Sequence, residues 1–172
     1  EDTEAVLARP VAIAQSSVDD GQALVRLRQV TQDDVSISFY RVDDLDGSIN
    51  GIAVGAAGYA EAVASRLYAT TTGLTSIDGP GYGGYAEALI TGVGSGDIVA
   101  AVLTTDGNAF YAFDQANESV NGNSVNHLWN YGANTWGFEA TYGGGDRDFN
   151  DLVYQIDFVQ AKGTGVLTTG DV

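Results

Sequence analysis

Apolar residues in this chain recur at every second position over short stretches, and Gly, Asn, Asp or Thr follows nearly every stretch. Ala23-Leu24-Val25-Arg26-Leu27-Arg28-Gln29-Val30 alternates in this way. So does Val35-Ser36-Ile37-Ser38-Phe39-Tyr40-Arg41-Val42, which follows the turn-like Thr31-Gln32-Asp33-Asp34. A period of two places successive side chains on opposite faces of a pleated strand, so each stretch has one face to bury against a second layer. Asp97 to Leu103, Thr104 to Asn108 and Ala109 to Phe113 read as a hairpin with Asp106-Gly107 in its turn. Asp-Gly suits the positive-φ pair that a tight two-residue connection requires. His127 to Tyr131, Trp136 to Ala140 and Leu152 to Val159 complete the set; Leu152, Tyr154, Ile156 and Phe158 share one face of the last. Such a series of short strands predicts a mainly β fold, an antiparallel β-sandwich of jelly-roll-like type.

Helical signals are few. Gly58 to Leu67 places Tyr59, Val63 and Leu67 four apart, with Ala supplying propensity, and Tyr85-Ala86-Glu87-Ala88-Leu89-Ile90 has the composition for a further turn or two. One or two short helices capping a face or an end of the sandwich are therefore expected. Ile49-Asn50-Gly51 before Gly58-Tyr59-Ala60-Glu61-Ala62-Val63 resembles Ile77-Asp78-Gly79 before Gly84-Tyr85-Ala86-Glu87-Ala88-Leu89. Two imperfect copies are too few for a solenoid, so the similarity reads as a local duplication or a coincidence.

A length of 172 residues suits one domain. The boundaries read as an N-terminal linker or first strand over 1–19, the folded unit over 20–160 and a linker over 161–172. The missing initiator Met and leader point to a segment of a longer parent, whose neighbouring domains are expected partners. A hydrophobic fraction of 44% with nine Tyr and six Phe argues against disorder. Seven basic residues face 23 acidic ones, a net charge of -16. That field repels nucleic acid, anionic membranes and phosphate-rich ligands, attracts cations, and favours a self-repelling monomer. The chain has no Cys, hence no disulfide, thiolate metal site or cysteine nucleophile. The apolar run Ile98 to Leu103 falls well short of the ~18 residues of a membrane span, so no membrane insertion is expected.

The densest chemistry lies in Gly143-Gly144-Gly145-Asp146-Arg147-Asp148-Phe149-Asn150-Asp151, just ahead of the final strand. Calcium takes about 6–8 oxygen ligands and tolerates irregular geometry. Alternating Asp146, Asp148 and Asn150 with Asp151 can converge such oxygens, and the glycines let the backbone fold back. Without a cation these carboxylates repel one another. A Gly/Asp/Asn run also makes an ordinary solvated turn, but the ligand density favours the ion. The EF-hand pattern fails: Asp151 occupies the glycine position and the flank is strand-like, although Asp157 falls at the twelfth position. A tandem Gly-Gly-x-Gly-x-Asp repeat is missing as well.

Trp136-Gly137-Phe138-Glu139, a spacer with Gly143-Gly144-Gly145, and Asp146-Arg147-Asp148-Phe149-Asn150-Asp151-Leu152-Val153 resemble the signature of the DUF4114 domain. Val35 to Asp44, Gly58-Tyr59-Ala60 and His127-Leu128-Trp129 extend the similarity over roughly residues 20–160. Ala140 stands where the usual pattern has Asp. The resemblance implies a calcium-binding β-rich module of large secreted or cell-surface bacterial proteins, including repeat-in-toxin (RTX) adhesins. Carried over by position, the metal ligands are Asp146, Asp148 and Asp151, then Glu139 and Asn150.

Asp43-Asp44-Leu45-Asp46-Gly47-Ser48 is a second acidic cluster, read as an Asp-rich turn rather than a second ion site. Trp129, Tyr131, Trp136, Phe138 and Tyr142 gather near the proposed ion. Sandwich core is the first reading for them; a ligand platform built on Trp129, Trp136 and Tyr142 is the other. Catalysis has little support: His127 is the only histidine, no Gly-x-Ser-x-Gly occurs, and nothing sets a spacing among Glu61, Glu87, Glu118 and Glu139. The reading is a noncatalytic calcium-binding structural or adhesion module, with calcium-dependent carbohydrate or peptide binding as the alternative.

Overall fold

The computed structural model describes residues 9–14, 21–144 and 149–158. Its strands are β1 (Ala12–Ile13), β2 (Gln22–Gln29), β3 (Ser36–Val42), β4 (Ile77–Asp78), β5 (Tyr85–Thr91), β6 (Ile98–Thr105) and β7 (Asn108–Tyr111). β8 (Ser119–Val120), β9 (Asn123–Ser124), β10 (Leu128–Gly132), β11 (Thr135–Phe138) and β12 (Leu152–Asp157) follow, and a short α-helix, α1 (Tyr59–Ala64), lies between β3 and β4. One five-stranded sheet runs β1-β6-β3-β4, with β7 also paired to β6; a second runs β10-β11-β12-β2-β5. All the pairings are antiparallel. The fold is thus the expected mainly β, antiparallel sandwich.

The period-two stretches supply the interior. Ala23, Val25 and Leu27 of β2 and Leu152, Tyr154 and Ile156 of β12 are buried, and all meet Ile37 and Phe39 of β3 in one core. Phe39 sets its ring edge against Tyr154 at 5.4 Å across the two sheets. Thr31 to Asp34 therefore links strands of different sheets rather than closing a hairpin. The apolar run of β6 is buried almost throughout because both its faces are covered. Val99, Ala101 and Leu103 share a face with Phe39 and Ile37, whereas Ala100 lies opposite Tyr40, whose hydroxyl meets that of Tyr59 on α1 at 3.3 Å. Asp106 and Gly107 have φ of 48° and 79° and join β6 to β7 by the tight turn their sequence predicts.

One element differs from expectation. Tyr85 to Ile90 is strand, not helix, because Ala86, Ala88 and Ile90 recur at period two opposite Leu27, Val25 and Ala23. Pairing along the whole of β5 outweighs the intrinsic preference of Ala and Glu for helix. The two similar stretches consequently fold differently, one as α1 and one as β5, so coincidence is the better reading of their likeness. Among the described residues no helix is long and apolar enough to cross a membrane.

Candidate functional site

The loop 139–151 joins β11 to β12, and backbone bonds draw its ends together. Phe138 pairs with Leu152, and the Asp151 N–H then donates to the Phe138 carbonyl at 3.0 Å. Val30 and Thr31 donate to the Asp151 carbonyl at 2.9 and 3.2 Å, tying this neck to the end of β2. The carboxylates close it from within. Asp151 Oδ2 accepts the Ala140 N–H at 2.7 Å, and Glu139 Oε1 accepts the Phe149 N–H at 3.1 Å. Glu139 is only 2% exposed. A carboxylate so deeply placed requires hydrogen bonds or positive charge around it.

A second set of contacts supports the loop from His127, just ahead of β10, and Glu118, just ahead of β8. His127 is fully buried and stacked on Phe110 with ring centres 3.9 Å apart. Its Nδ1 donates to the Glu139 carbonyl at 2.7 Å, while Nε2 meets Glu118 Oε2 at 2.7 Å. Glu118 Oε2 also accepts the Gly143 N–H at 2.7 Å, and Gly143 has a left-handed φ of 85° that a glycine adopts without strain. Burial pushes the Glu118 carboxyl up, but the Gly143 N–H, His127 and its own N–H outweigh that and hold it below the usual range. The only histidine is therefore a structural brace.

The loop's return is fixed by Gly137. The Phe149 carbonyl lies directly against the Gly137 Cα, where an added Cβ would collide with it and stand 2.8 Å from the Tyr131 ring. Tyr131 donates its hydroxyl to the same carbonyl at 3.1 Å. Phe149 itself has a φ of 54°, a rare conformation for a bulky residue, and its ring stacks on Trp129 with centres 6.0 Å apart. The glycine of the Trp-Gly-Phe-Glu segment thus has a steric reason.

Of the proposed ligands, Asp151 and Glu139 meet the loop from its two ends, and Asn150 sits half-buried between Phe149 and Asp151. Asp146 and Asp148 lie outside the described residues. Among the described residues no group of three or more His, Asp or Glu is spaced to hold a metal. The donors present are hard oxygens, the kind calcium takes, and both His127 nitrogens are engaged elsewhere. Asp157, at the twelfth EF-hand position, lies in β12 at 3.5 Å from Arg26.

The three proposed platform aromatics separate. Trp129 and Tyr142 are exposed. Trp136 is not: it is buried, stacked on Tyr154 at 5.4 Å, and donates its indole N–H to the Arg9 carbonyl. The platform reading is corrected there, because alternation along β11 turns Trp136 inward. The acidic cluster at Asp43 is a turn, as expected. Asp44 Oδ1 accepts the Asp46 and Ser48 N–H groups, and Asp43 binds Arg66 at 2.9 Å and the Asn50 N–H at 2.8 Å.

The closure of the neck by Asp151 through the Ala140 N–H and the seat at Gly137 are the features that sequence reasoning missed. Compared with models of known families, with curated proteins and with solved structures, the chain matches none.

Proposed function

We propose that the chain is a noncatalytic, calcium-binding structural or adhesion module of a large extracellular bacterial protein, of the DUF4114 and RTX-adhesin kind. The observation that carries this is that the Glu139 and Asp151 carboxylates each accept a backbone N–H across the neck of a glycine-rich loop, whose sequence also carries Asp146, Asp148 and Asn150. A cation held by these residues neutralises their repulsion and ties β11, β12 and the end of β2 together. Binding then adds RT ln(1+[L]/Kd) to stability, about 2.7 kcal/mol at a hundredfold excess over Kd. In calcium-rich surroundings the module is rigid; in a calcium-poor compartment it is looser. Thermal melts in calcium and in chelator test this: the expected result is a higher midpoint in calcium. Asp146→Ala and Asp148→Ala should abolish the difference, and equal midpoints for the unaltered protein would refute the reading.

One observation favours the second reading, calcium-dependent binding of a surface carbohydrate or peptide. Trp129 is 53% exposed, yet its ring is braced by Phe149 from the same loop. An ion that orders the loop would also order that aromatic surface.

A further inference from the structure

We propose that the groove beside Trp129 is a binding site for a neutral, polyhydroxylated ligand, a short stretch of glycan. This deepens the second reading above: it rests on that reading for the ligand class but not for the metal. The groove has a volume of about 800 Å³, within the roughly 300–1,000 Å³ usual for small-ligand sites. Its mouth carries Trp129, Asp46, Ser48, Asp114, Gln115 and Asn126, and its floor includes the buried Phe113 and Leu128.

The walls are preformed. Gly47 has a φ of 90°, and an added Cβ would stand 2.7 Å from the Phe113 ring; one at Gly55 would stand 2.6 Å from the Gln115 carbonyl. These two glycines let the 43–55 segment dock closely on the turn at 113–115. Asp44 and Tyr59 hold the first wall through the Asp46 and Ser48 N–H groups and the Gly47 carbonyl. Asn117 holds the second through Tyr111 and Val125. A site fixed before binding loses less entropy when a ligand arrives.

The lining selects the ligand class. Among the described residues it contains no Arg, Lys or His, and with a net charge of -16 the chain repels anions. Carboxylates accept hydroxyl protons, amides both donate and accept, and the serine hydroxyl does either. An exposed indole supplies an apolar plate for the C–H face of a sugar ring while its edge stays polar. A basic peptide would use Asp46 and Asp114 but leave the amides and the indole with little to do.

The test titrates the full chain in calcium with gluco-, manno- and galacto-configured neutral trisaccharides and with a poly-lysine peptide, following tryptophan fluorescence and heat. At least one saccharide should bind, and binding should persist at roughly 0.5 M salt, where charge pairing is screened beyond a few ångströms. Trp129→Ala and Gln115→Ala should each weaken it at least tenfold, Trp129→Tyr should restore part of it, and Tyr82→Ala, outside the groove, should leave it unchanged. No saccharide binding, binding of the peptide alone, or binding indifferent to Trp129→Ala overturns the proposal. Chelator separates the two ideas. Saccharide binding that survives it upholds the groove and refutes the calcium dependence, whereas a calcium-responsive protein that takes no saccharide refutes the groove alone.

Discussion

Gly137→Ala tests the loop's architecture at one atom. The new methyl would occupy the place of the Phe149 carbonyl, so either β11 or the returning loop must move. β11 is hydrogen-bonded on both sides, to β10 and β12. At Phe149 the loop is held by the Glu139 and Tyr131 hydrogen bonds and the Trp129 stack, so the loop moves. The loss is two hydrogen bonds at about 0.5–1.5 kcal/mol each and an aromatic pair of about 0.5–1.5 kcal/mol. Their sum is about 1.5–4.5 kcal/mol. For a chain of this size that lowers the melting midpoint by roughly 3–18 °C. Because Asn150 and Asp151 follow Phe149 directly, calcium affinity should fall as well. Urea melts in calcium and in chelator measure both effects. An unfolding free energy within about 0.5 kcal/mol of the unaltered protein, the range of an ordinary surface change, would refute the steric argument.

Glu118→Ala leaves the Gly143 N–H and His127 Nε2 without their carboxylate, and hydrogen bonds to a charged group contribute about 1.5–3 kcal/mol; chemical denaturation should show a loss of that size. The folded protein holds Glu118 below the usual carboxylate range, so its contribution is complete above that range and disappears as pH falls through the lowered value. Acid melts should therefore fall less steeply for Glu118→Gln than for the unaltered chain. Gly47→Ala combines a left-handed backbone, about 1–2 kcal/mol for a residue with a Cβ, with a clash on Phe113 of about 1–3 kcal/mol. Its melting midpoint should drop while the calcium-induced shift stays unchanged, since the side chains that crowd Gly47 are Phe113 and Val54 rather than the loop's.

Legibility followed the alternation. β2, β3 and β12 were readable because their buried residues fall at every second position, and the β6–β7 hairpin because Asp106-Gly107 dictates its turn. β5 was not, since Ala and Glu favour helix locally and only pairing with β2 reveals the strand. The site failed for a more specific reason. In β10 the polar Asn130 shares a face with Leu128, and its amide binds the Arg9 carbonyl and the Gly132 N–H. The aromatic Trp129 and Tyr131 are left exposed. Hydrophobic patterning read there gives a core, and its local failure marks the surface that the loop braces. The acidic run itself was legible as a cluster of oxygen donors. The closing of the neck by Asp151 and Glu139 depends on backbone N–H groups that no side-chain pattern discloses.

Isothermal calorimetry of the metal-stripped chain titrated with calcium addresses the central claim most directly. The account predicts saturable binding at or below millimolar calcium, lost in Asp146→Ala and Asp148→Ala. A flat titration of a folded, metal-free protein would contradict it.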